Sequence, residues 1–465
     1  MIIYAFYYMK GEKMLTNCKF FYDKYIKDKT CLILGIGGVS MSSIALVLKS
    51  MGYKVSGYDA NKGSYTALME KEGIEVSYGD VMPSLENVGA VVYTAAIKED
   101  FPLLVEARGM GIVTVVRAPF LGELMKCYKT RIGISGTHGK STTSGMISEI
   151  FLNSPLDPTI MIGADLPSIN GGVKIGSKDS FVFEACEYKD SFLSFAPTVS
   201  VVLNVELDHT DYFKSIDQMK ESYTRFMNIS DKAVVCADSE NAVDAASGFH
   251  GEILYYSMKK GVGDLWAENS RLNRGFGEFD AFLRGEFFAH IKLSVPGLFQ
   301  IGNALAAIGA SVLSGIDKDT IVKGLEAFRG VGRRFQYRKT LNGADIYDDY
   351  AHHPDEIRAT LETAKSLERE RVIVVYQPHT YTRTHDLFDD FIKAFDNCDE
   401  VIFADIYAAR EKNLFGITSK DLADKTPRGK YVGDFEKISE YLKNNIKEND
   451  LVLIMGAGDI IKLEI

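Results

Sequence analysis

The sequence predicts an α/β protein of three consecutive α/β units, on three observations. An apolar run, Cys31 to Leu34, ends in the glycine turn Gly35-Ile-Gly-Gly38 and passes into the helix-like stretch Met41 to Leu48. The same order returns at Arg131-Ile-Gly-Ile134, the turn at Gly136 and a helix through Ile150. The last third carries strand-like runs at Ala344 to Tyr347, Val372 to Tyr376, Val401 to Ala404 and Leu451 to Met455, separated by helical stretches. Short apolar runs that alternate with helical patterns indicate parallel sheets covered by helices. At 465 residues the chain is too long for one ordinary core, and roughly 100 to 200 residues per unit gives about three domains.

In the first unit the strand Lys54 to Tyr58 ends in Asp59, and Ala90 to Tyr93 and Ile112 to Val116 continue the alternation, so a domain 1–128 is expected. Residues 1–28 read as an extension of it. Met1 to Met9 are apolar and aromatic, but the charged run that follows offers neither a cleavage site nor about 20 apolar residues, so no signal peptide or membrane helix is expected. The bland reading of the segment is an extra strand or a misplaced start codon, with Met14 the true start. The middle unit, 129–330, adds strands at Phe181 to Phe183 and Val199 to Leu203. Short alternating segments between Gly251 and Pro296 predict a small antiparallel patch, and Asn303 to Leu313 reads as an Ala-rich helix. The third unit runs over 331–465.

Composition narrows the function. The 46% hydrophobic and 25% charged content is globular, and a net charge of -10 without basic clusters excludes a nucleic-acid wrapping surface. Small-molecule partners are expected, with no nucleic acid and no membrane. The six cysteines, at 18, 31, 127, 186, 236 and 398, form no C-x-x-C pair and no zinc spacing, which fits a reduced, cytoplasmic compartment.

The strongest motif is Gly136-Thr137-His138-Gly139-Lys140-Ser141-Thr142, set between a strand and a helix. Glycines let backbone N–H groups close on phosphate oxygens, the helix start favours anions, Lys140 can reach the outer phosphates and the Ser141 hydroxyl can ligate Mg²⁺. The usual loop would place its first glycine at Ile134, whereas here glycines stand at 133 and 136. ATP is the expected ligand; the competing reading is a chance G-K-S in a loop.

Glu184-Ala-Cys-Glu187 and Asn204-Val-Glu-Leu-Asp208-His209 each follow a strand directly. The C-terminal edge of a parallel sheet is where ligands sit, so Glu184 and His209 are candidate Mg²⁺ ligands facing the phosphates. Imidazole is a less usual partner for so hard an ion. Glu187 and Asp208 read equally as helix-capping or solvated carboxylates and as direct participants. The first glycine turn, with Ser40 at the third small-residue position and Asp59 24 positions after Gly35, resembles a dinucleotide site and fits a nucleotide sugar as well. In the last third, Asp348-Asp-Tyr-Ala-His352-His353-Pro354 and Gln377-Pro-His379-Thr-Tyr-Thr-Arg383 follow strands. His353 and His385 read as surface histidines, whereas His352, His379 and Arg383 together can fix a carboxylate.

In order, the turn at Gly35, GTHGKSTT at Gly136, EACEYKDSFL at Glu184, NVELDH at Asn204, PGLFQIGNALAA at Pro296, GRRF at Gly332, DDYAHHP at Asp348, QPHTYTRT at Gln377, DIYAARE at Asp405 and GAGDI at Gly456 resemble the Mur ligase family over nearly the whole chain after about residue 30. The resemblance implies an N-terminal Rossmann-like domain for a UDP substrate, a central P-loop ATPase-like domain and a C-terminal Rossmann-like domain. It implies ATP-driven joining of L-alanine to the lactyl carboxylate of UDP-N-acetylmuramate through an acyl phosphate, for peptidoglycan precursor synthesis. Carried over by residue, it places ATP on Gly136 to Thr142, Asn303, Arg334 and Asp349. Mg²⁺, with Mn²⁺ as an alternative, falls to Ser141, Glu184 and His209, the acyl end to Tyr350, His352, His379 and Arg383, and the UDP part to Gly37, Gly38 and Asp59. Lys140, Glu184, His209 and Arg383 become the catalytic set. The chain departs from the family at Phe299 and Gln300, where His and Asn are usual, at Thr380, where an Arg pairs with Arg383, and at Ser40 and Ser43, which replace glycines. Three readings compete with this one: a ligase that attaches a recycled peptide to the same sugar nucleotide, a nicotinamide-dependent oxidoreductase, and a nucleotide-gated binding module. Oligomeric state is not legible.

Overall fold

Three sheets, each with helices packed on its faces, organise the chain in the computed structural model, which describes residues 21–209, 212–409 and 411–465. The expectations for residues 1–20, and the arginine of the DIYAARE motif, Arg410, lie outside the described residues. Two compact units result, Met1–Lys129 with Ser194–Ala196, and Thr130–Leu193 with Pro197–Ile465.

The first unit holds a parallel sheet in the order Glu75–Tyr78, Lys54–Asp59, Thr30–Leu34, Val88–Tyr93, Val113–Val116. Its central strands are buried on both faces, which is why they read as continuous apolar runs. The strand Glu75–Tyr78 escaped prediction because it is a half-exposed edge with no such run. The glycine turn leaves Thr30–Leu34, whose two neighbours are entered by connections running in opposite directions, the place where α/β sheets bind ligands.

The second unit begins with a ten-stranded sheet in the order Glu286–Pro296, Phe276–Leu283, Leu265–Asn273, Glu252–Ser257, Lys232–Cys236, Val199–Val202, Thr130–Ser135, Ser180–Glu184, Thr159–Leu166, Gly171–Lys174. Within the expected antiparallel stretch Glu252–Ser257 is a parallel strand of the main sheet, and the antiparallel pairs there are those among the three strands from Leu265 onward; at the other edge Thr159–Leu166 and Gly171–Lys174 are antiparallel as well. The three strands from Leu265 onward continue the same sheet. Arg274-Gly275 and Arg284-Gly285 turn both hairpins, all four with positive φ, as two-residue turns of that handedness require. Helices Lys140–Leu152 and Gln300–Leu313 pack into the core of this sheet, where Ile147, Ile150, Ala304 and Ile308 are fully buried.

A six-stranded sheet follows in the order Gln336–Leu341, Ala344–Asp349, Asp450–Met455, Arg371–Tyr376, Glu400–Ala404, Gly429–Gly433, parallel except at its first pair. Apolar clusters lie on both of its faces. The turns after Asp349, Tyr376 and Met455 therefore leave one edge together, and this edge carries the histidine motifs. No helix among the described residues is long and apolar enough to cross a membrane.

Candidate active site

The phosphate loop takes its shape from two glycines. Gly136 has φ +144° and Gly139 φ +85°, and a Cβ added at Gly139 would meet Asn303 Oδ1 at 2.8 Å. Left-handed backbone and a close neighbour both exclude a side chain there. Gly139→Ala is accordingly expected to weaken ATP binding by about 10-fold or more, read as Kd by titration calorimetry. Asn204 ties the loop down: its Oδ1 accepts the His138 N–H at 2.8 Å and its Nδ2 donates to the His138 carbonyl at 3.1 Å. The Thr137 hydroxyl donates to the Glu206 carbonyl at 3.1 Å. The role of Asn204 was missed from the sequence, although an Asn directly after a strand and opposite a glycine loop is its signature.

Lys140 opens the helix Lys140–Leu152, and its ammonium donates to the Gly136 carbonyl at 2.5 Å and the Thr137 carbonyl at 3.2 Å. It also lies 3.2 Å from Glu187 Oε2, whose side chain is fully buried. His209 Nε2 stands 3.6 Å from Glu187 Oε1 and 3.9 Å from Asp208 Oδ2. Burial pushes the Glu187 carboxyl up, but the facing His209 imidazole and the Lys140 charge outweigh it and hold it below its ordinary value. The same contact with Glu187 raises His209. Glu187 is thus a buried ion-pair centre, not a solvated carboxylate.

Glu184 stands apart from this group. Its Oε1 accepts the Gly163 N–H at 2.8 Å, and no hydrogen bond or ion pair among the described residues joins it to Ser141 or His209. No group of three or more His, Cys, Asp or Glu side chains among the described residues has metal-holding geometry. A hydroxyl and a carboxylate, Ser141 and Glu184, nevertheless fit Mg²⁺, which takes few protein oxygens and completes its shell with phosphates and water. His209, engaged with Glu187, fits that ion less well.

A cavity of ≈ 630 Å³ opens beside the loop, lined among others by Lys140, Ser141, Asn303, Arg334, Asp349 and Glu356. That is the size of a small-molecule site. Asn303 Oδ1 accepts from the Thr143 hydroxyl at 3.3 Å while its Nδ2 donates to Gln300 Oε1 at 2.8 Å. Asp349 is buried and spends its oxygens on local structure, accepting the Phe335 N–H at 2.7 Å and the Ala351 N–H at 2.8 Å. Burial raises its pKa, with Arg334 opposing. Arg334 lies 4.0 Å from Glu356 Oε1, and the guanidinium groups of Arg333 and Arg334 lie 4.6 and 5.2 Å from the Tyr350 ring centre.

The structure brings Tyr350, His352, His379 and Arg383 together beside this cavity wall. Ring centroids of Tyr350 and His352 are 5.3 Å apart, those of His352 and His379 6.0 Å, and Arg383 Nη1 lies 3.2 Å from His379 Nδ1. Burial and then the Arg383 charge push His379 down to about 4. Thr380 sits at φ +69°, an unusual conformation for a β-branched residue, with its N–H bonded to the Tyr407 carbonyl at 2.9 Å. His353 caps the helix Pro354–Ser366 and His385 stacks on Phe415 at 4.2 Å, in keeping with structural roles. Gly37, Gly38 and Asp59 belong to the first unit, where Asp59 Oδ2 accepts the Gly37 N–H at 2.8 Å and so fixes the glycine turn.

Comparison with known proteins gives three successive family matches: Mur ligase family, catalytic domain over residues 31–129, Mur ligase middle domain over 134–311, and Mur ligase, glutamate ligase domain over 333–458. The chain is 45% identical over 448 residues to the UDP-N-acetylmuramate–L-alanine ligase of Clostridium tetani, covering 94% of this chain and 97% of that protein. It is 44% identical over 445 residues to the ligase of the same name from Acetivibrio thermocellus, covering 94% and 95%. Among solved structures it resembles the UDP-N-acetylmuramate-alanine ligase of Thermotoga maritima, with a TM-score of 0.78, 28% identity and coverage of 93% and 97%. A murein peptide ligase from Psychrobacter arcticus shares the fold, with a TM-score of 0.68 at 22% identity and coverage of 94% and 97%.

Proposed function

Because the chain belongs to the Mur ligase family, we propose that it is an ATP-consuming ligase joining L-alanine to the lactyl carboxylate of UDP-N-acetylmuramate, in peptidoglycan precursor synthesis. The observation that carries the mechanism is the shared location of the phosphate loop and the residues Arg334, Asp349 and Glu356 on one cavity, with the His352, His379 and Arg383 cluster adjoining through Glu356. A carboxylate is a poor electrophile, and its phosphorylation supplies the leaving group that an amine can displace.

In this reading the backbone amides of Gly136 to Thr142 hold the phosphates of ATP, and Lys140 neutralises charge on the transferring phosphoryl group. Asn303 and Gln300 border the nucleotide. Arg383 and His379 orient a carboxylate by donated hydrogen bonds. Ser141 and Glu184, with His209 as a further candidate, would hold Mg²⁺ or Mn²⁺, which when bound adds positive charge at the phosphates. The first unit, with Gly37, Gly38 and Asp59, takes the UDP part. Domain limits of 1–128, 129–330 and 331–465 accord with this division, and a cytoplasmic site accords with dependence on ATP.

The test is release of ADP with UDP-N-acetylmuramate present and the amino acid varied. L-Alanine is expected to support turnover, and the tripeptide of a recycling ligase is not. Turnover with the tripeptide and none with L-alanine would overturn the substrate assignment while leaving the ligase chemistry in place.

A further inference from the structure

Attack of an amine on an acyl phosphate leaves the new C–N bond with a surplus proton on nitrogen, and a positioned acceptor for that proton accelerates the step. Two imidazoles lie at the edge of the six-stranded sheet, and their hydrogen bonds assign them opposite tautomers. His352 Nδ1 faces the Tyr350 carbonyl oxygen at 3.0 Å and Glu356 Oε2 at 3.2 Å. Both partners can only accept, so Nδ1 carries the proton and the lone pair of the neutral ring resides on Nε2. None of the hydrogen bonds among the described residues engages that Nε2. His379 is the reverse: Arg383 Nη1, which can only donate, points to its Nδ1 at 3.2 Å, so the lone pair is used there and Nε2 carries the hydrogen. One ring thus offers an acceptor and the other a donor.

We propose that His352 is the general base that takes the proton from the attacking amine, and that Glu356 is the residue that positions it. The proposal rests on the ligase reading above and adds to it the acceptor. Glu356 Oε2 also accepts the His352 backbone N–H at 3.0 Å, beside the His353 N–H at 3.4 Å that it takes in the capping box of the helix Pro354–Ser366, so ring and backbone are fixed by one carboxylate. The Tyr376 hydroxyl donates to the His352 carbonyl at 3.4 Å from the neighbouring strand. The groups facing the ring are Glu356, which raises its pKa, and Arg383 and Arg334, which lower it, with Tyr350 and His379 alongside. Burial is the largest influence and the net shift is downward, which leaves the ring neutral and able to accept at pH 7.

In the step itself the nitrogen lone pair forms the C–N bond, the N–H electron pair returns to nitrogen as the proton passes to Nε2, and the C–O bond to the phosphoryl group breaks. That electron pair leaves with inorganic phosphate, and His352 returns the proton to phosphate or water. No oxidant or further reactant is involved.

The experiment compares two nucleophiles, L-alanine and hydroxylamine, which is already neutral at pH 7, in the intact protein with ATP and UDP-N-acetylmuramate. His352→Asn keeps a donor toward the Tyr350 carbonyl and lacks Nε2. Its amide formation with L-alanine at pH 7 is expected to fall by about 10²-fold, with partial recovery at alkaline pH, while hydroxamate formation falls much less, because the more acidic adduct of the weakly basic hydroxylamine gives its proton to water without a positioned base. Glu356→Gln is expected to move the acidic limb of the alanine pH profile to lower pH, because the charge that raises His352 is gone, a change that a purely structural role would not produce. An equal loss of both products in His352→Asn, or undiminished alanine ligation, overturns the assignment. If the parent forms neither product the ligase reading fails and the base assignment falls with it.

Discussion

Lys140→Ala is expected to lower ADP release that depends on UDP-N-acetylmuramate by on the order of 10³-fold, the scale on which a cation contributes to phosphoryl transfer. The reason is positional. Lys140 begins the helix that closes the phosphate loop, and its ammonium is held on the Gly136 and Thr137 carbonyls and on Glu187, on the wall of the cavity. Those are the contacts of a cation kept at the place where outer phosphates would lie, in a loop whose backbone amides are fixed by Asn204. Arginine does not substitute, because a planar, wider guanidinium cannot share two loop carbonyls and a buried carboxylate in the same space. Steady-state ADP release by Lys140→Ala and Lys140→Arg, set against the parent at saturating ATP, decides the matter. Turnover by the alanine variant at the parent's rate, in folded protein, would remove the lysine from the chemistry.

The sequence carried the three sheets because their central strands are buried on both faces and so are written in consecutive apolar residues, as in Val88–Tyr93 and Asp450–Met455. Edge strands left no such record. Glu75–Tyr78, Gln336–Leu341 and Gly429–Gly433 are half exposed, and their residues serve solvent as much as the core. The antiparallel strands after Leu265 were visible as alternation, but their continuity with the main sheet depends on the pairing of Tyr256 with Leu265, which no local pattern encodes. At the site, the phosphate loop was legible because strained glycine positions and a lysine at a helix start are local features. Glu187 was not, since a carboxylate that pairs with Lys140 and His209 from 47 and 22 residues away looks in sequence like any Glu near a turn. The opposite tautomers of His352 and His379 were out of reach for the same reason: each depends on which ring nitrogen a neighbour meets.

Glu187 gives Lys140 a second consequence, in stability. Its carboxylate is fully buried, whereas the Lys140 side chain is 19% exposed and can turn to the cavity. Lys140→Ala therefore strands the buried member of the pair, leaving His209 at 3.6 Å as its ion-pair partner among the described residues, and is expected to cost about 3 kcal/mol of unfolding free energy. Adding Glu187→Leu removes the stranded charge and keeps comparable volume, so the double variant should regain most of that loss, because a buried ion pair replaced as a whole by apolar groups is often neutral or stabilising. Activity should not return, since the cation is still missing. Glu187→Leu alone leaves Lys140 on the Gly136 and Thr137 carbonyls but without its lateral tether, so stability near the parent's is expected with turnover lowered by about 10- to 100-fold through misplacement of the ammonium. Denaturant unfolding of the two single variants and the double variant, beside their ADP release, separates the effects. Additive losses of stability in the double variant would show that Glu187 is held by packing rather than by charge.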